Sequence, residues 1–118
     1  MDHIAAHRVA LEHEPIVAEQ QLANAQVATT GYTDIGTLGN CSVGIWEMST
    51  GSMTDIEADE YFVVLSGRGT VQVLVANGFA EQTQHLLAGS LVRLRDGMQT
   101  VWHVEETLRK IYLTSADG

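Results

Sequence analysis

The chain has 118 residues, 45 % of them hydrophobic and 18 % charged, which suits one globular domain with a real core and leaves no run long enough to cross a membrane as a helix. Fifteen acidic against six basic side chains give a net charge of −9, a surface that repels phosphate backbones and anionic headgroups, so nucleic acid and membrane are argued against as partners. The single cysteine, Cys41, cannot form an internal disulfide or a thiolate metal cluster and reads as a small residue near a strand start.

Met1-Asp2-His3-Ile4 lacks the basic and apolar regions of a secretory signal, which points to a cytoplasmic protein. Residues 1–14 carry a weak apolar face (Ile4, Val9, Leu11) broken by His3, His7 and His13. They are expected to form a short arm or helix with the histidines in solvent. Pro15, the only proline, ends that segment and opens the domain expected over 15–118.

Ile16-Val17-Ala18 is expected to form a short strand and Val27–Tyr32 a longer one; Asp34–Asn40, rich in Gly, Asp and Thr, reads as a turn. Leu38-Gly39-Asn40 suggests a hairpin into a strand over Ser42–Thr50. There Val43, Ile45 and Glu47 share one face and Gly44, Trp46 and Met48 the other. Gly51–Asp59, with Asp55, Glu57 and Asp59, reads as a solvated loop. Glu60–Leu65 is a strand apolar on both faces, followed by a tight turn at Ser66-Gly67-Arg68-Gly69. Thr70–Ala76 and Ala80–Leu87 flank Asn77-Gly78, the strongest hairpin signal in the chain. Leu91–Leu94, a turn at Arg95-Asp96-Gly97, and separate strands at Thr100–Val104 and Thr107–Thr114 complete the pattern. Short strands at this spacing imply an all-β jelly-roll barrel, because open edges invite aggregation.

Several stretches then resemble a known family. Glu60 through Gly67 is similar to the end of the first cupin motif, and Gly89 through Gly97 to the second. Gly44-Ile45-Trp46-Glu47-Met48-Ser49-Thr50-Gly51, Asp59-Glu60-Tyr61-Phe62, Trp102-His103-Val104 and Leu108-Arg109-Lys110-Ile111-Tyr112 resemble the small cupins grouped with (S)-ureidoglycine aminohydrolase and the ethanolamine-utilisation cupins. The resemblance spans roughly Ile16 to Leu113 and implies the cupin double-stranded β-helix.

The resemblance also implies four metal ligands, of which only Glu60 is present. The His-x-His places fall on Met53 and Asp55, or on Thr54 and Ile56, and the last histidine's place falls on Thr100. One glutamate does not hold a transition metal, so no cofactor is expected; a divalent ion on Asp55 and Glu60 is the alternative.

Strand parity sends Glu60, Phe62 and Val64 inward, and Thr100, Trp102 and Val104 with them, while His103 points away. The expected ligand site is therefore Trp46, Glu60, Phe62, Thr100 and Trp102. This aromatic pocket with one carboxylate suits a small polar molecule such as an amine or a ureide.

The resemblance to the ureidoglycine aminohydrolase cupins implies Glu60 as the candidate catalytic group, ligand or base of a ureide or amide C–N hydrolase. The competing expectation is a structural pair with Arg93, Arg68 or Arg109, within a non-catalytic or regulatory module whose barrel is filled. His85 and His103 are candidate bases that read as surface residues. Apolar residues on both faces of Tyr61-Phe62-Val63-Val64-Leu65 point to a homodimer.

Overall fold

A computed structural model describes residues 1–115; the last three residues of the expected domain, 116–118, lie outside the described residues. The order is β1 (Glu14–Pro15), a 3-10 turn (Ala18–Gln20), β2 (Thr29–Leu38), β3 (Cys41–Met48), β4 (Gly51–Ile56), β5 (Glu60–Val73), β6 (Gln82–Leu86), β7 (Leu91–Leu94) and β8 (Gln99–Ser115). All pairings between these strands are antiparallel, as an all-β barrel requires.

Two long strands carry the architecture. β8 has 17 residues and β5 has 14, and they pair along most of their lengths, from Glu60↔Thr114 to Val73↔Thr100. The C-terminal half of β8 also pairs with β3, and its N-terminal half with β4. In the same way β5 pairs with β7 through Glu60–Val63 and with β6 through Gly69–Val73. Each long strand thus belongs to both halves of the sheet. The bend between the halves falls where the β5–β8 register slips, between Val64 and Gly69. Gly67 sits there at φ +92°, and a Cβ at that position would overlap the Thr107 carbonyl oxygen.

In β5 the inward side passes from even to odd residues across the bulge, whereas β8 keeps even residues inward at both ends. Phe62, Val64, Val71 and Val73 of β5 meet Trp102, Val104 and Leu108 of β8 in the core, with Met48, Met53, Leu86 and Leu94. Trp102, Phe62, Met48 and Leu108 are almost wholly removed from water, each contributing on the order of 2 kcal/mol of apolar burial. The outer face is less complete. Tyr61, Leu91 and Leu113 are exposed there, so one chain alone does not cover both faces of the Tyr61–Leu65 segment.

The structure corrects several boundaries. Ser66-Gly67-Arg68-Gly69 is no turn but the bulged middle of β5, because Gly67 lets the strand bend without breaking its pairing. Thr100–Val104 and Thr107–Thr114 are one strand; Glu105, Glu106 and Thr107 look like a break only because they are exposed where β8 bends. The expected loop at Gly51–Asp59 is largely β4, which turns Met53 and Asp55 toward a cavity. The expected turn at Asp34–Asn40 narrows to Gly39-Asn40, since β2 runs on to Leu38 with an irregularity at Ile35. Ile16 is a buried anchor and no strand forms at Ile16–Ala18. Leu91–Leu94 matches its expected bounds, and Asn77 and Gly78 both take positive φ (53° and 86°), as the hairpin signal requires.

Residues 1–13 contain one turn and no helix; they form an arm strapped to the outer wall. Arg109 Nη1 donates to the Ala6 carbonyl (2.9 Å), and the His13 ring bridges Thr29 Oγ1 (2.8 Å) and Glu47 Oε1 (2.7 Å). His13 is therefore not a solvated terminal residue as expected; the strap partly buries it, whereas His3 and His7 are exposed.

Candidate functional site

The inward faces of β3, β4 and β8, with the start of β5, enclose a cavity of about 220 Å³ that opens to solvent. Trp46, Met53 and Trp102 supply its apolar wall, and Tyr32, Tyr112 and Thr114 its hydroxyl-bearing side. Asp55, Glu57, Glu60 and Lys110 supply its charge. Gly44 makes room for the Tyr112 ring, since a Cβ there would overlap the phenol. The Tyr112 hydroxyl donates to Asp34 Oδ1 (2.6 Å), and burial followed by that carboxylate raises its pKa.

Lys110 organises the interior. Its Nζ donates to Glu60 Oε2 (2.6 Å) and lies 4.3 Å from the Phe62 ring centre, 4.6 Å from Trp46 and 4.9 Å from Trp102. The three rings are mutually tilted, with Trp46 and Phe62 centred 5.5 and 5.6 Å from Trp102. The side chains of Lys110 and Glu60 are only 6 % and 14 % exposed, so the pair works in a low-dielectric setting where attraction and desolvation are both large.

The expected pairing of Glu60 with Arg93, Arg68 or Arg109 is thereby corrected. Arg93 pairs with Asp59, Arg68 with Glu105 and Glu106, and Arg109 with Glu47. All three arginines leave their strands on the outer face, where the inward-pointing Glu60 cannot reach them.

Glu57 is the second buried carboxyl. Its Oε2 accepts from Thr100 Oγ1 (2.6 Å) and Trp102 Nε1 (3.0 Å). No buried polar side-chain atom among the described residues lacks a partner, so the unbonded Oε1 is left at the cavity surface. Burial, and then the nearby Asp55 charge, raise the Glu57 pKa above 4.5, against the pull of Thr100, Lys110 and Trp102. The expectation of a solvated loop edge for the acidic cluster is therefore wrong for Glu57, which is buried. Asp55 lines the cavity and accepts from the Ile56 amide (2.9 Å) and from Gln20 Nε2 (3.4 Å).

Of the residues expected from sequence, Trp46, Glu60 and Trp102 line the cavity. Phe62 lies behind it as a ring against Lys110, and Thr100 lies behind it as a donor to Glu57. His103 points outward to Ser52 Oγ (2.9 Å), and His85 is exposed. Sequence reasoning missed Lys110 and Glu57. Both follow from parity once β8 is read as one strand and β4 is recognised: Lys110 is eight residues from Trp102 on the same face, and Glu57, just past the end of β4, is two from Asp55.

A divalent metal does not fit these residues. The lining holds no imidazole, and its Glu60 is committed to an ammonium that repels a second cation. Among the described residues no three His, Cys, Asp or Glu side chains converge as a metal set.

No curated protein matches the sequence. Among solved structures, the chain is similar to the EutQ protein of Clostridium difficile (22 % identity, TM-score 0.62, covering 77 % of this chain and 71 % of that one). It is also similar to a cupin 2 conserved barrel domain protein of Rhodopseudomonas palustris (15 %, 0.63, 98 % and 79 %) and to ectoine synthase of P. lautus (13 %, 0.62, 74 % and 64 %). At these identities the likeness concerns the fold, which is the cupin jelly roll. Residues 35–112, two-thirds of the sequence, match the EutQ-like cupin domain, and the chain belongs to that family.

Proposed function

We propose that this cupin binds a small polar molecule carrying N–H donors, an amine or a ureide, in the cavity walled by Trp46 and Trp102 without a metal ion. The observation that carries this is the charge balance of the lining: Asp55, Glu57 and Glu60 against Lys110 alone. Glu60 is neutralised by Lys110, so Asp55 and Glu57 Oε1 are the acceptors left for a ligand. Drug-sized ligands occupy roughly 300–1,000 Å³, so this cavity suits something smaller. By volume alone it does not reject a filled structural barrel, for Phe62, Val64, Val71, Val73 and Trp102 are all buried; the polar lining is what favours a ligand.

Calorimetric titration with a panel of small amines, amides and ureides tests the proposal. Binding by one class, weakened about tenfold or more in Asp55→Asn, is the expected result. No binding across the panel, or binding indifferent to Asp55 and Glu57, overturns it.

A second reading, hydrolysis of a ureide or amide C–N bond, is favoured by the raised Glu57 pKa, which suits a carboxyl that gives a proton to a leaving nitrogen. Glu60 as catalytic base is the less suitable choice, being held by Lys110. Ammonia release across the ureides, lost in Glu57→Gln with the fold intact, supports hydrolysis; no release from wild type removes it. The exposed Tyr61, Leu91 and Leu113 favour a homodimer through the outer face, and a monomer in sedimentation equilibrium at micromolar concentration removes that part.

A further inference from the structure

Lys110 is the only lysine in a chain of net charge −9, and it is buried. The chain's other cationic side chains are five arginines. Lysine is among the residues least often removed from water, and an ion pair with Glu60 by itself needs no aromatic rings around it. Here three ring faces approach Nζ within 5 Å, two of them from residues wholly in the core. A carboxylate on one side and π-faces around the rest is the arrangement that recognises an alkylammonium ion. Every part lies on paired strands: Trp46 on β3, Phe62 and Glu60 on β5, Trp102 and Lys110 on β8.

We propose that the inner end of the cavity is an ammonium-binding cage that the chain fills with its own side chain. Lys110 is a tethered ligand there. It supplies the positive charge that lets Asp55, Glu57 and Glu60 share one pocket, and it bars external cations from the cage. A molecule entering the cavity from outside then meets Asp55 and Glu57, while Lys110 occupies the space enclosed by the three ring faces. Removing the lysine side chain is expected to vacate a site for a free primary ammonium ion, which restores both the ion pair and the ring contacts.

The test is chemical rescue. Lys110→Ala is titrated with n-propylammonium and n-butylammonium chloride and followed by thermal unfolding, with sodium chloride at equal ionic strength as control. The expected result is a dose-dependent rise in Tm for Lys110→Ala only. Wild type, and Lys110→Met, whose side chain fills the cage without charge, are expected to show no such rise. Recovery of folding by alkylammonium in an otherwise unfolded Lys110→Ala is the same positive result. A response no larger than that to sodium chloride, or an equal response in wild type, overturns the proposal.

Wild-type protein decides the matter even if Lys110→Ala never folds. With lysine-selective labelling only one ε-methylene and one Nζ signal exist. Stacked rings are expected to shift the ε-methylene protons upfield and to slow Nζ proton exchange. Random-coil shifts with fast exchange overturn the cage, as does stoichiometric binding of Zn²⁺ or Mn²⁺ at the Lys110–Glu60 position of wild type. None of these readouts depends on finding a ligand for the outer cavity; the rescue and resonance outcomes bear on the cage alone, and only metal binding would overturn the proposed function with it.

Discussion

Arg109 and Lys110 are neighbours on β8 and face opposite sides of the barrel wall, and each meets a glutamate. Outside, Arg109 Nε donates to Glu47 Oε2 (2.8 Å) while His13 holds Glu47 Oε1, so both carboxylate oxygens are bonded and the N-terminal arm lies over them. Burial alone would raise the Glu47 pKa, but the hydrogen bonds and charges of Arg109 and His13 prevail and lower it. Inside, Glu57 has one oxygen bonded twice and the other free, and its pKa is raised. One carboxyl is saturated by cations and acts as a rivet; the other is short of donors and remains available for a ligand. Identity alone would not have separated them; the deeper burial of Glu57 and the donors around each one do.

The largest way to break the inner cluster is to remove its cation. Lys110→Ala leaves Glu60 buried and unpaired and is expected to cost about 3–5 kcal/mol in urea unfolding. The double variant Lys110→Met with Glu60→Gln is expected to cost less than the sum of the two single changes, because no lone charge remains.

On the outer wall, Arg109→Ala removes the charge-assisted bond to Glu47 and the tie to Ala6, an expected loss of about 2 kcal/mol. Limited proteolysis is expected to cleave the arm, residues 1–13, faster in that variant. Equal cleavage rates mean that the strap does not hold the arm.

The two glutamates are expected to respond to pH with opposite signs. Glu57, with its pKa raised, contributes fully below about pH 4.5, and that contribution is lost as pH rises through the folded-state value. Glu57→Gln keeps acceptors for Thr100 and Trp102 and is expected to be more stable than wild type at pH 7–8 by about 1 kcal/mol. The gap should close toward pH 4.5. Glu47, with its pKa lowered, contributes above about pH 4.5 and loses that contribution as pH falls through the folded-state value. Glu47→Gln is thus expected to be less stable than wild type at pH 7, with a gap that closes in acid. Parallel pH profiles of the two variants would erase the contrast between the clusters.

The smallest effect is expected at the surface. Arg68 pairs with Glu105 and Glu106, but all three side chains are about half exposed or more, so Arg68→Ala should change stability by no more than about 0.5 kcal/mol. A larger loss would mean that the β5–β8 bend depends on this pair.

The sequence by itself determined that the chain is all-β, where Asn77-Gly78 turns, where Leu91–Leu94 lies, and that Thr100, Trp102 and Val104 share an inward face. Those features rest on φ preference and the two-residue period of a strand, both set by near neighbours. It hid β4 because a strand lining a polar cavity lacks the apolar alternation that marks one. It divided β8 because Glu105, Glu106 and Thr107 are exposed at a bend. With that division Lys110 lost its parity with Trp102, and three arginines stood in its place as partners for Glu60. The pairing of Glu60 with Lys110, fifty residues apart, and the different donors given to Glu47 and Glu57 were decided only by the tertiary structure. The physical reason is that a charge's environment is set by strand register across the barrel, and no local pattern encodes which strands become neighbours.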